Sequence, residues 1–141
     1  MARATKASAT SNAGCPCGSG RAEADCCAAL CADRLAVGAG APTPEALMRS
    51  RYWAYVRAQL DYLRATWHPS TCPADLDADP ATRWLGLEIR HHEIDSDGDQ
   101  GQVEFIARYK LGGRAHRLHE HSRFVRENGH WLYVDGDFLA A

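Results

Sequence analysis

Five of the six cysteines, Cys15, Cys17, Cys26, Cys27 and Cys31, crowd into one short segment, and only Cys72 lies elsewhere. That crowding constrains the fold more than any other feature of the chain. Cys26 and Cys27 are adjacent and Pro16 alone separates Cys15 from Cys17, so neither pair is placed to close a disulfide within itself. The first dozen residues, MARATKASATSN, hold two basic side chains but no apolar run, so they do not read as a secretory signal. The expected location is cytoplasmic, where disulfides are disfavoured. Four thiolates converging on one ion instead suit zinc, which takes tetrahedral sulfur ligands and has no redox chemistry of its own. Pro16 and Gly18-Ser19-Gly20 allow a tight turn that aims the first two sulfurs at one centre. Glu23 to Leu35 then reads as a short helix presenting Cys26 and Cys27 from its first turn. The plainer alternative is a group of small buried residues, since free cysteine packs as a small hydrophobe. Cys31 lies four residues past Cys27 on the same helical face. It either replaces Cys27 as a ligand or stays a buried free thiol, and the second reading is preferred.

The run CPCGSGRAEADCC, Cys15 to Cys27, resembles the SEC-C motif, a zinc-binding tail of the SecA preprotein translocase that occurs in many other bacterial proteins. Eight residues separate Cys17 from Cys26, as that pattern requires. The resemblance implies that Cys15, Cys17, Cys26 and Cys27 are the ligands of one zinc ion. Where the translocase also uses histidine at the last position, this chain has Cys27. Four protein thiolates leave no open coordination position, so the implied ion is structural. A module of roughly 20 residues buries too little apolar surface to stand alone, whereas zinc binding supplies on the order of 10 to 16 kcal/mol.

A length of 141 residues gives one domain with a small appended module. The organisation expected is a flexible tail over 1–13, the cysteine module over 14–36, a small-residue linker over 37–42 and an α+β domain over 43–141. Thr43-Pro44-Glu45 reads as an N-cap, a first-turn proline and an acid matched to the helix dipole. A helix from Pro44 to about Gln59 places Met48, Tyr52, Tyr55 and Val56 on one face, with Arg49 and Arg57 largely on the other. Leu60, Leu63 and Trp67 continue the apolar stripe through a second helical segment, ended by Pro69. From Thr82 the period becomes alternating: Leu85, Leu87 and Ile89, then Val103, Phe105, Ala107, Tyr109 and Leu111. Gly112-Gly113 turns the chain into a long strand from Arg114 to Arg126, and Glu127-Asn128-Gly129 turns it again into His130 to Asp135. Successive antiparallel hairpins after a helical front half make an α+β fold whose sheet curls around the helices.

The stretches EALMRSRYWAYV, DYLRATWHPST, ARYKLGGRAHRLHEHSRFVRENG and HWLYVDGD closely resemble the YchJ family, bacterial proteins of unassigned function. With the SEC-C run they cover nearly the whole chain after residue 13. The resemblance implies an N-terminal zinc knuckle followed by a cone-shaped nuclear transport factor 2-like domain, with helices packed on a curved antiparallel sheet around a pocket. The chain departs from the pattern in the extra thiol of CAALC and in lacking a second SEC-C motif at its C-terminus. No role of a second zinc module carries over.

A formal charge of -2, from 16 Lys and Arg against 18 Asp and Glu, lacks the basic excess that phosphate-backbone binding draws on, so nucleic acid is not the expected partner. No stretch approaches the roughly 18 apolar residues of a membrane span. A serine elbow, a phosphate-binding glycine loop and a dinucleotide fingerprint are all lacking. In the strand from Arg114 to Arg126, the parity that turns Leu118 and Phe124 toward the core also turns Glu120 and Ser122 inward. A carboxylate on an apolar face must be hydrogen-bonded, paired or wetted by a cavity. Glu120 therefore reads as a pocket base or ligand anchor, as a carboxylate fixing the cone through an arginine, a tyrosine or backbone amides, or as a residue turned outward by a bulge. The candidate pocket is Glu120, Ser122, Phe124, Tyr52 and Trp67. Arg117, His119, His121 and Arg123, with Arg108 and Lys110, form a basic stripe of opposite parity that reads as a solvated outer face or an anion surface.

The function expected is that of a zinc-binding protein-interaction or adaptor module attached to a cone with room for a small ligand. Its partner would be another protein, engaged through the zinc module. In the translocase the SEC-C tail engages partner proteins, so an adaptor role near protein export or translation is implied by analogy. The alternative is a small-molecule enzyme using Glu120 for acid-base chemistry in the pocket.

Overall fold

The computed structural model describes residues 14–139, and the tail expected over 1–13 lies outside the described residues. The cysteine segment is not the single helix its sequence suggests. A 3-10 turn over Glu23–Asp25 is followed by helix α1, Cys27–Leu35, and Cys26 sits between them at φ -119°, ψ -112°. The break has a geometric reason. Adjacent residues of a regular helix point about 100° apart, so two neighbouring sulfurs reach one centre only if the backbone between them leaves the helix.

Thr43 caps helix α2, Pro44–Val56, by accepting a hydrogen bond from the Ala46 amide at 3.1 Å. The helix stops three residues short of the expected Gln59. Ala58 adopts a left-handed φ of 56°, and the Gln59 amide reaches back to the Ala54 carbonyl at 2.8 Å, which satisfies the last turn. Leu60 and Leu63 keep the apolar spacing across this corner, which is why periodicity alone misses it. They belong to a second helix, α3, Leu60–Ala65. Trp67 is not helical. It forms an isolated bridge with Tyr133, flanked by Tyr133 N–H to the Thr66 carbonyl and His68 N–H to the Tyr133 carbonyl, both 2.8 Å.

Four antiparallel strands follow: β1 Arg83–Ile94, β2 Gln100–Leu111, β3 Arg114–Glu127 and β4 His130–Phe138, paired in that order. The β2–β3 register sets Val103 opposite Ser122, Phe105 opposite Glu120 and Ala107 opposite Leu118, so all six share the inner face against α2. In β1 the expected alternation fails at Leu85. A register shift between Trp84 and Gly86 inserts an extra residue, which sends Leu85 outward to 51% exposure while Leu87 and Ile89 pack on the core. Trp84 turns in instead and meets Tyr52 edge-on at 5.5 Å.

On the outer face the basic stripe is laced with acids. Arg123 pairs with Asp135 and Asp137, each at 2.7 Å, and His119 meets Glu104 at 2.7 Å. Between the cysteine module and α2 the chain is tied down, with His130 Nε2 3.0 Å from the Gly38 carbonyl and the Gly40 amide donating to Asp33 at 2.8 Å. One buried cluster runs without interruption from Cys15 and Cys27 through Leu47 and Tyr52 to Phe105 and Phe124.

The left-handed Ala58 carries strain of about 1–2 kcal/mol that glycine would not, set against the extra chain entropy glycine loses on folding. Ala58→Gly is expected to raise the unfolding free energy by about 0.5 kcal/mol, read from the urea midpoint at unchanged slope.

Candidate metal centre and ligand cavity

Gly18 and Gly20 take φ values of 82° and 87°, open to glycine and strained for other residues. Their turn is closed by Cys15 N–H to the Arg21 carbonyl at 2.8 Å and Gly18 N–H to the Cys15 carbonyl at 3.1 Å. It brings Cys15 and Cys17 against the break that carries Cys26 and Cys27. All four sulfurs lie within 4.8 Å of one another, and all four residues are buried. A tetrahedral thiolate centre with metal–sulfur bonds of about 2.3 Å has sulfur–sulfur edges of about 3.8 Å. Cys17 to Cys26 measures 3.6 Å and Cys26 to Cys27 3.8 Å. The donor set and its spacing fit one metal ion. The Ser19 hydroxyl, 3.1 Å from Cys26 Sγ, orients that sulfur from outside. Cys31 is buried but stands outside the four-sulfur group.

Cys15, Cys17 and Cys27 hold their protons unevenly. A hydrogen bond from Cys27 draws Cys17 down to about 4, while the same bond and burial push Cys27 up, and burial raises Cys15. A bound cation reverses that opposition, because every sulfur then gains by losing its proton.

The module is docked on α2 by charge as well as by packing. Glu23 accepts hydrogen bonds from the Trp53 indole and from Arg57 Nε and Nη2, the latter two at 2.7 and 2.9 Å. Arg49 Nη1 donates to the Cys17 carbonyl at 2.7 Å. The Arg57 guanidinium and the Trp53 N–H hold the Glu23 carboxyl down at about 2.

The other face of α2 and the inner face of the sheet line a half-open cavity of about 390 Å³. Glu120, Ser122, Tyr52 and Trp67 all stand on its wall. Phe124 does not: it is buried outside that lining, edge-on to Tyr133 at 5.7 Å. Glu120 Oε2 accepts from Ser122 Oγ and from Tyr133 OH, each at 2.8 Å. Burial and then the Glu120 charge push Tyr133 up, so it stays a phenol and donates. Gly136 stands opposite Ser122, and a Cβ there would overlap the Glu120 carboxylate, so the missing side chain is what makes room for it.

The residue that sequence reasoning missed is Arg51, 3% exposed and also on the cavity wall. Its Nη1 donates to the Leu63 carbonyl at 3.0 Å and to Thr66 Oγ1 at 2.8 Å, and its guanidinium lies 4.7 Å from the ring centres of both Trp67 and Tyr133. One carbonyl, one hydroxyl and two aromatic faces offset the desolvation of a cation that has no carboxylate partner among the described residues. A signal was present, since 48, 51, 52 and 55 share one helical stripe and three of the four are apolar or aromatic.

A cysteine cluster able to hold a metal, docked on a helix-and-sheet cone, defines a class of two-part proteins. Residues 43–136 match the family model described as YchJ, middle NTF2-like domain. A UPF0225 protein of Cupriavidus pinatubonensis, Reut_A0143, is 56% identical over 89% of this chain and 88% of its own length. Another from Ralstonia nicotianae, RSc0270, is 55% identical over 97% and 99%. Among solved structures, the solution structure of RPA3114, a SEC-C motif containing protein from Rhodopseudomonas palustris, is 36% identical with a TM-score of 0.75, covering 89% of this chain and 98% of that one. A SEC-C motif containing protein from Psychrobacter arcticus is 28% identical with a TM-score of 0.69, over 90% and 83%. The chain belongs to the YchJ, or UPF0225, family.

Two outcomes are expected here. A carboxyl held low when folded contributes stability above its unfolded value of 4.5 and loses it as the pH falls from there toward about 2. The stability difference between the native chain and Glu23→Gln, measured by urea unfolding at a series of pH values, should therefore be present at pH 6 and vanish toward pH 2. Gly136→Ala is expected to displace the Glu120 carboxylate from Ser122 and Tyr133, at about 1–3 kcal/mol, by the same measurement at neutral pH.

Proposed function

We propose that this protein is a zinc-stabilised binding protein whose cone holds a small ligand. The observation that carries the reading is the cavity of about 390 Å³ with the Glu120 carboxylate on its wall, hydrogen-bonded on one oxygen but paired with no cation among the described residues. A carboxylate serving only to lock the fold would be neutralised inside a packed core; this one borders open volume lined by aromatic side chains. Zinc is the ion the four buried cysteines favour, by donor type and tetrahedral spacing. Its role is structural. Cys15, Cys17, Cys26 and Cys27 would fill every coordination position, leaving none for water or substrate, and the module would be held as a rigid flank of α2. The domain boundaries proposed are the module over 14–36, the linker over 37–42 and the cone from 43 onward.

The adaptor role belongs to the surface where the module meets the linker, Leu35 and Val37 being 45% and 79% exposed just at and after the end of α1. A specific protein partner should be lost on Val37→Asp while the zinc content is unchanged. The second reading, acid-base catalysis, is favoured by the second oxygen of Glu120, which has no hydrogen-bond partner among the described residues. Chemical change in a bound ligand, abolished by Glu120→Gln with binding retained, would establish it; a ligand recovered intact after prolonged incubation would point to binding alone.

Elemental analysis of protein purified under reducing conditions should return one zinc per chain, and Cys27→Ser should remove it. Stripping the ion with a chelator should lower the melting temperature by many degrees, since the module's ordering energy is metal-binding energy. For the cavity, a set of small apolar and polar aromatic compounds screened by thermal shift should include binders whose effect is lost when Ala107→Phe fills the space. No binder of any kind would overturn the reading.

A further inference from the structure

The cavity's unspent hydrogen-bonding groups define what it takes. Arg51 is 3% exposed, and of its guanidinium nitrogens only Nη1 is hydrogen-bonded among the described residues. Arg51 lines the cavity, its guanidinium 4.7 Å from the Trp67 ring centre. A buried cation with hydrogens unassigned is a receptor for an acceptor group. A carboxylate satisfies it best, because it offers two oxygens and the compensating charge. Elsewhere on the wall stands the opposite need, since Glu120 Oε2 is occupied by Ser122 and Tyr133 while its other oxygen has no hydrogen-bond partner among the described residues. That oxygen calls for a donor.

The spacing between these two ends is set by Tyr133. Arg51 lies over its ring face at 4.7 Å, and its hydroxyl donates to Glu120 at 2.8 Å. The cation and the carboxylate therefore stand roughly one phenol apart, too far to pair directly. A cavity of about 150 Å³ is enough to hold benzene; this one, at about 390 Å³, has room for a ring with a substituent at each end. Tyr52, Tyr55, Trp84 and Phe105 supply the walls, which favour a flat aromatic body through edge and face contacts.

We infer that the cavity binds a small aromatic acid carrying a hydroxyl or amino group across the ring from its carboxylate. The carboxylate meets Arg51, and the hydroxyl or amino group donates to the free oxygen of Glu120. The inference rests on the ligand-binding reading and narrows it. It also accounts for why a cation and a carboxylate are both kept inside one apolar cavity without touching: the ligand completes each of them.

Isothermal titration of the full zinc-loaded chain tests this with four probes, 4-hydroxybenzoate, its methyl ester, benzoate and indole. The hydroxy acid should bind at least tenfold more tightly than the ester, which lacks the charge, and severalfold more tightly than benzoate, which lacks the donor. Glu120→Gln should erase the preference for 4-hydroxybenzoate over benzoate, because the amide turns a donor toward the ligand's donor. Arg51→Met should abolish acid binding and leave the ester unchanged; should that variant fail to fold by circular dichroism, the Glu120 variant decides. Ester and acid binding equally, or indole binding where the acids do not, would overturn the inference while leaving the cavity a ligand site. Failure of indole, ester and both acids together would overturn both.

Discussion

Convergence of four cysteine sulfurs at a break before a helix is the constraint on which residues 14–36 depend. So short a segment buries too little surface of its own to hold a loop with two left-handed glycines in one shape. Once gathered, the sulfurs are not an isolated bead. Cys15, Cys17 and Cys27 belong to the same buried cluster as Leu47 and Tyr52, and Glu23 adds a bidentate arginine contact and an indole hydrogen bond. Whatever orders the sulfurs also orders one flank of α2.

Helix α2 is thus the shared wall of the molecule. Arg49, Trp53 and Arg57 face the cysteine module, while Met48, Arg51, Tyr52 and Tyr55 face the cavity. A rigid helix fixes its two faces relative to each other, so the cysteine cluster and the cavity are positioned by a single element. Docking of the cysteine module braces the cavity wall without entering the cavity, and side chains held this way present their polar groups at little ordering cost when a ligand arrives.

The cavity itself is a solved electrostatic problem with two loose ends. Arg51 is stabilised by the Leu63 carbonyl, the Thr66 hydroxyl and two aromatic faces, and Glu120 by two hydroxyls and the space left by Gly136. Each arrangement leaves part of the charged group uncompensated, and each uncompensated part borders the same volume. In a core selected for packing alone, both positions would be apolar, since replacing buried charges with well-packed apolar groups is often neutral or stabilising.

Much of this was legible in the residues. The cysteine spacing, the Thr43 cap and the inward parity of Glu120 and Ser122 are local properties, determined by a few neighbouring side chains and by the strict period of two along a strand. The outcome differed wherever a distant contact overrode a local pattern. The Cys26 backbone leaves the helix so that adjacent sulfurs can meet, Ala58 turns a corner inside an unbroken apolar stripe, and one inserted residue in β1 exchanges Leu85 for Trp84 on the inner face. Arg51 is the clearest case. Its place within an apolar stripe is written in the sequence, but its burial is decided by Trp67, Thr66 and Tyr133, which come from a different helix end and the last strand. A charged side chain is tolerated inside only when partners far along the chain assemble around it, and no local rule encodes that assembly.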